Sequence, residues 1–139
     1  MERRYASLPV GGRARYYAAL SRIEIGEMAE AEKALKEAAA QKGDGGLDSA
    51  LARLALADLY RRTGQIDKAA QTYRDFAADT TVPYPRDFAL MNLGSMLEQA
   101  RKLAEAEVAY RRVVDEFATG VYSPEARRRL AYLQTAIQG

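Results

Sequence analysis

Any chemistry in this chain has to come from carboxylates, arginines, lysines, tyrosines and hydroxyls, because the sequence holds no histidine and no cysteine. Imidazole acid/base catalysis, thiolate nucleophiles, disulfides and the usual zinc ligands are thereby excluded. Four groupings of polar residues remain. Asp58 precedes Arg62 by one helical turn, with Arg61 beside it, a spacing that suits either a ligand grip or a solvated ion pair on one helix face. Arg127-Arg128-Arg129 invites a phosphate or anionic-lipid reading, yet three consecutive helical residues point in three directions and make no focused patch. Gly43-Asp44-Gly45-Gly46 has the glycines of a phosphate cradle but no strand before it and no lysine-serine or lysine-threonine ending. Asp44 and Asp48 offer too few oxygens for a calcium loop. No catalytic residue, metal site or cofactor is expected.

Composition points the same way. The 139 residues have the length of one domain, and 48% of them are apolar, enough to bury a core. With 21 basic against 19 acidic side chains, the net charge of +2 gives no field for steering a polyanion, so nucleic acid is not an expected partner. A chain without thiols is indifferent to redox poise, so its compartment is not legible from composition. The start, Met1-Glu2-Arg3-Arg4-Tyr5, leads into no apolar stretch of membrane-spanning or signal-peptide length.

What must position these residues is a repeat. The octets beginning at Met28, Ile66 and Leu103 share the pattern apolar, x, x, Ala, x, x, x, large, and their starts lie 38 and 37 residues apart. The alanines are Ala31, Ala69 and Ala106, and the large residues are Leu35, Tyr73 and Tyr110. Positions i, i+3 and i+7 form one stripe of a helix. A break precedes each octet: Gly26, Gly64 and the polar pair Arg101-Lys102. Upstream of each break lies a second helical segment, from about Arg13 to Glu24, Asp48 to Arg62 and Pro85 to Ala100. The stretch from Leu51 to Tyr60 is apolar except at Arg53 and Asp58, which suits an inner helix covered on two sides. The octet-bearing helices carry more charge and form the outer layer.

Lys42 to Gly46 and the stretch Thr80 to Pro85, with its two prolines, read as inter-repeat loops. Ser123-Pro124-Glu125 reads as a helix start, with Ser123 as the capping hydroxyl and Pro124 at the first helical position. No segment alternates as a strand would. The expected fold is all-α: three helix pairs at about 13–42, 48–79 and 85–118, a closing helix at about 124–137, and an extension over 1–12.

Leu56-Ala57, Tyr60, Gly64, Ala69 and Tyr73 resemble the tetratricopeptide signature, and Leu93-Gly94, Leu97, Ala106 and Tyr110 repeat it. No tryptophan opens a repeat, and the spacing exceeds the usual ~34 residues. The resemblance covers about Arg13 to Gln138 and implies an α-α superhelix, a TPR-like solenoid. The longer spacing, with the runs Tyr73-Arg74-Asp75-Phe76 and Tyr110 to Phe117, is most similar to the bacterial ancillary Sec translocon subunit and cell division coordinator family. That likeness implies a periplasmic or membrane-anchored envelope protein, with a cytoplasmic location as the alternative. Contact with a membrane would come only through an anchor absent from this chain.

The resemblance also implies a concave groove lined by the inner helices. In the middle helix the unpaired strip is Leu51, Leu54, Asp58, Arg61 and Arg62, which fall within an arc of roughly 100°. The matching positions in the third pair are Phe88, Met91, Ser95, Glu98 and Gln99, and in the first Tyr16, Leu20 and Ile23. Apolar residues at helical spacing could equally be core, and Tyr60, Tyr73 and Tyr110 read as packing residues. The expected function is a protein- or peptide-binding scaffold and not an enzyme. The alternative is a homo-oligomerising module whose apolar face is buried in self-association.

Overall fold

The computed structural model describes residues 11–41 and 46–138. Among them every regular element is a helix: α1 (Gly11–Glu24), α2 (Met28–Ala40), α3 (Leu47–Arg62), α4 (Ile66–Ala78), α5 (Arg86–Gln99), α6 (Leu103–Glu116) and α7 (Ser123–Gln138). α1 begins inside the stretch expected to be an extension, and the rest of that stretch lies outside the described residues. So do Lys42, Gly43, Asp44 and Gly45, and with them most of the glycine-rich loop.

The three breaks before the octets are one structure built three times. In the first, the Gly26 amide donates to Ile23 O at 3.1 Å and the Glu27 amide to Arg22 O at 2.8 Å. Gly64 and Gln65 bond Arg61 and Tyr60 in the same way, and Arg101 and Lys102 bond Glu98 and Leu97. These nested bonds satisfy the orphan carbonyls of the ending helix and require a left-handed residue at the turn. Gly26 and Gly64 take it at φ 86° and 79°, and Arg101 takes it at φ 62°. The following carbonyls then open the next helices, as Glu27, Gln65 and Lys102 accept from Ala31, Ala69 and Ala106. Glycine marks two of the turns in the sequence, and the third hides behind an arginine.

By the clustering of its internal contacts the chain divides into two compact units, Met1–Thr72 with Thr81–Tyr84, and Tyr73–Thr80 with Pro85–Gly139. In the first unit α1 packs on α2 and α3, and α2 packs on α3. Ala31, Leu35 and Ala38 supply the buried stripe of α2, at i, i+4 and i+7. α3 buries residues on more than one side, among them Ala50, Ala52, Leu56, Ala57, Leu59 and Tyr60, as an inner helix must. Lys68 places its ammonium 5.6 Å from the Tyr60 ring, a contact of about 0.5–1 kcal/mol where solvent reaches it.

In the second unit α6 packs on both α5 and α7. Its buried face is Ala106, Ala109, Tyr110 and Val113, a single stripe at i, i+3, i+4 and i+7. α5 buries Ala89, Leu90, Leu93, Gly94, Met96 and Leu97, two adjoining faces that leave one strip of the helix uncovered. Phe76 and Leu133 are fully buried. Arg86 donates to Ala77 O at 2.8 Å and lies 5.2 Å over the Phe117 ring, pinning the start of α5.

The start of α7 differs from its expected form. The Ala126 amide donates to Tyr122 O at 2.9 Å, so Tyr122 is the capping position and Pro124 is the second helical residue, not the first. The Ser123 hydroxyl caps nothing: it is buried and has no hydrogen-bond partner among the described residues. Proline tolerates either place because both amides precede the first intrahelical bond.

Because the Arg101 side chain is exposed while its backbone is left-handed, Arg101→Gly is expected to stabilise the protein. Relief of left-handed strain, about 1–2 kcal/mol, outweighs the unfolded-state entropy of a new glycine, about 0.4–1 kcal/mol. Thermal unfolding followed by circular dichroism should show a midpoint a few degrees higher, and a lower midpoint would contradict the account of this turn.

Candidate partner-binding cleft

The uncovered strip of α5 carries Phe88, Met91, Asn92, Ser95, Glu98 and Gln99, and all six line one cleft of about 630 Å³ in the second unit. On a helix these positions span an arc of roughly 120°, the sector that the buried faces of α5 leave free. The opposite wall is α7 and the turn before it, through Tyr122, Glu125 and Arg129, and Tyr110 of α6 contributes the floor.

The ends of the cleft differ. At one, the Phe88 and Tyr122 rings lie 6.1 Å apart at 51°, an aromatic pair beside Met91. At the other, Arg129 donates to Glu98 through Nε at 2.8 Å and through Nη2 to the second carboxylate oxygen, a two-point charge-assisted contact. The Glu98 side chain is 14% exposed and that of Arg129 34%, so this pair is screened less than the other ion pairs of the unit. The Tyr132 ring lies 4.7 Å from the Arg129 guanidinium. Between the two ends stand Asn92, Ser95 and Gln99, uncharged hydrogen-bonding side chains.

Tyr110 reaches the floor because residue 94 is glycine. A Cβ built on Gly94 would lie 2.6 Å and 2.7 Å from two carbons of the Tyr110 ring, closer than side chains approach one another. With the ring seated there, the phenol stands beside Glu98, and each group shifts the other's ionisation. Arg129's hydrogen bond, aided by that of Tyr110, holds the Glu98 carboxyl below the usual carboxylate range, against the opposing effect of burial. Burial first, and then the bond to Glu98, pushes the Tyr110 phenol well above its ordinary value. Glu98 likewise raises Arg129.

In the first unit the strip residues are placed on α1 and α3. Tyr16, Leu20, Ile23, Leu51, Leu54, Asp58 and Arg61 are half-buried and Arg62 is exposed. Tyr16 stands edge-on to Tyr17 at 5.4 Å, and burial, then the neighbouring Tyr17 and Tyr84 phenols, raises its pKa. Asp58 accepts from Arg61 at 2.7 Å and from Arg62 Nε at 2.9 Å. This surface cluster is worth roughly 0–1 kcal/mol per pair.

The sequence profile of the tetratricopeptide repeat-like domain matches residues 1–135. The chain belongs to that family. Comparison with curated proteins returns no match. Among solved structures, the chain is similar to a crystal structure of nearly identical TPR-like repeats assigned to a kinesin light chain of Podosopora anserina. The TM-score is 0.64 at 19% identity, over 94% of this chain and 69% of that one. At that identity the likeness shows the fold, in the TPR-like α-α superhelix class, and nothing further.

Within this tetratricopeptide repeat-like frame, sequence reasoning missed the α7 wall. Arg127, Arg128 and Arg129 do point in three directions: Arg127 is exposed, Arg128 bonds Glu125 at 2.9 Å, and Arg129 bonds Glu98. Of the three, Arg129 alone turns into the cleft. A signal was present, since Tyr122, Glu125 and Arg129 stand at i, i+3 and i+7 and so share one face. Tyr110 is a packing residue as expected, but its hydroxyl also belongs to the cleft.

Gly94→Ala is expected to cost about 1–3 kcal/mol in urea unfolding, since the Tyr110 ring must move off its seat. Glu98 also makes stability depend on pH in a defined direction. Its folded pKa lies below the reference of 4.5, so its contribution is complete above that value and disappears as pH falls through the folded pKa. Glu98→Gln should therefore cost about 1–2 kcal/mol near neutrality, and its deficit relative to wild type should shrink below pH ~4.5. A deficit independent of pH would show that Glu98 acts through its shape alone.

Proposed function

We propose that this domain is a protein- or peptide-binding scaffold whose partner-binding surfaces are the uncovered strips of the inner helices, taken unit by unit. Tetratricopeptide repeat-like domains generally mediate protein–protein interaction and are typically non-catalytic, and the observation that carries the proposal for this chain is the cleft itself. A helix that buries two faces and leaves the third, with Phe88 and Met91 beside uncharged hydrogen-bonding groups, offers both apolar anchoring and backbone pairing. Leu51 and Leu54 of α3, half-buried on the corresponding strip, extend the same role to the first unit. Resemblance of the runs from Tyr73 and Tyr110 to bacterial envelope relatives supports a place in the periplasm or in a membrane-anchored envelope protein, with the cytoplasm as the alternative. No described helix is long and apolar enough to cross a membrane.

Self-association is the competing use of an apolar surface. The exposed large apolar residues Tyr17, Ile25, Val108, Val121, Tyr132 and Ile137 are distributed over α1, α6, α7 and two turns, which favours the cleft over a single self-complementary face.

Panning a random-peptide phage library on the immobilised protein should enrich binders. Met91→Asp and Leu54→Asp are each expected to weaken them roughly tenfold while circular dichroism and the melting midpoint change little. Loss of fold in these variants would mark both residues as core, and light scattering that returns a concentration-independent dimer would favour self-association.

A further inference from the structure

The cleft is lined by charges of both signs, and they are not equally available to a partner. Arg129 is its single lining guanidinium among the described residues, and Glu98 and Glu125 are its lining carboxylates. One full edge of that guanidinium is taken by Glu98, through Nε and Nη2 to separate oxygens. The Glu98 carboxylate in turn also has the Tyr110 phenol beside it. These two ions neutralise one another inside the fold, and their hydrogen bonds are mutual. Glu125 is different. Among the described residues its ion-pair partner is Arg128, three residues on along the same helix, whose side chain is 69% exposed. Solvent screens such a pair, and a partner group entering the cleft can replace it at little cost. The lining charge left for a ligand to meet is therefore one carboxylate.

Position sharpens this. Glu125 lies one helical turn beyond Tyr122, about 4.5 Å along the α7 axis, between the aromatic end of the cleft and the Glu98–Arg129 pair. An extended chain advances about 3.3 Å per residue, so an apolar side chain seated among Phe88, Met91 and Tyr122 puts the next one to three residues opposite Glu125. On the α5 side these residues meet Asn92, a half-buried carboxamide with no hydrogen bond among the described residues, which can donate and accept at one peptide unit.

We propose, building on the scaffold reading above, that the cleft of the second unit takes an extended peptide segment in which an aromatic or aliphatic anchor lies within three residues of a lysine or arginine, the anchor against Phe88, Met91 and Tyr122 and the cation on Glu125. Charge complementarity selects the basic segment, and the part-buried Glu98–Arg129 pair keeps the far end closed to competing acids.

The test uses the whole chain and a random-peptide phage library, with affinities of the selected peptides measured by fluorescence polarisation. Selected peptides should pair an apolar residue with a nearby lysine or arginine and bind more weakly as salt rises. Glu125→Lys should weaken them about tenfold and Glu125→Gln about threefold, with circular dichroism unchanged. Gln134→Lys, which adds one positive charge on the opposite face of α7, should leave binding as it was. Fresh selection on Glu125→Lys should shift towards aspartate and glutamate. Peptides that bind in the cleft but are enriched in acids, or basic peptides indifferent to Glu125→Lys, overturn this inference and leave the scaffold intact. A library that yields no binder overturns both.

Discussion

The Tyr110 ring fills the space that a side chain at Gly94 would take, and the cleft follows from that contact. Lacking a Cβ, residue 94 lets α6 bring an aromatic ring under α5 where any other residue would hold it away. The hydroxyl then sits within reach of Glu98, four residues further on and so on the same face of α5. Glu98, ionised and fixed from below, captures Arg129 from α7. Arg129 is in turn backed by Tyr132. A missing methyl group thus sets the position of three helices' side chains, and the strip of α5 that these contacts leave open is the surface a partner can use.

The repeat turns impose the complementary constraint along the chain. Each helix pair closes through the same nested amide bonds and the same left-handed residue, so the carbonyl that ends one helix and the one that starts the next are fixed within a few residues. That economy explains why alanine recurs at the first buried position of the octets: the amides of Ala31, Ala69 and Ala106 are the first to enter the new helix, and a small side chain there allows the second helix to fold back closely on the first. Arg101 shows that the turn geometry, not glycine as such, is what the fold demands.

Most of this was legible in the sequence wherever one helix speaks for itself. Periodicity located the octets, Gly26 and Gly64 located turns, and the free strip of α5 emerged because a helical wheel is a property of sequence alone. What was not legible depends on helices distant in the chain. Glu98 and Arg129 are 31 residues apart, and nothing local tells Arg129 from Arg128 or Arg127. Ser123 misled for a different reason: serine, proline and glutamate in a row fit two registers of a helix start equally well, and packing against α6 chose the one that buries the hydroxyl. α1 opens at Gly11, inside the stretch expected as an extension, where composition gives no boundary.

The electrostatics of the cleft also bear on what kind of work it can perform. Proton transfer needs a group whose pKa lies near the working pH. Glu98 is held low by Arg129 and Tyr110, so it stays ionised; Tyr110 is pushed high by burial and by Glu98, so it stays protonated. Each group stabilises the charge state of the other, and moving a proton between them opposes both shifts at once. A pair arranged in this way is a fixed donor and a fixed acceptor. It gives the cleft a fixed shape and a constant charge pattern.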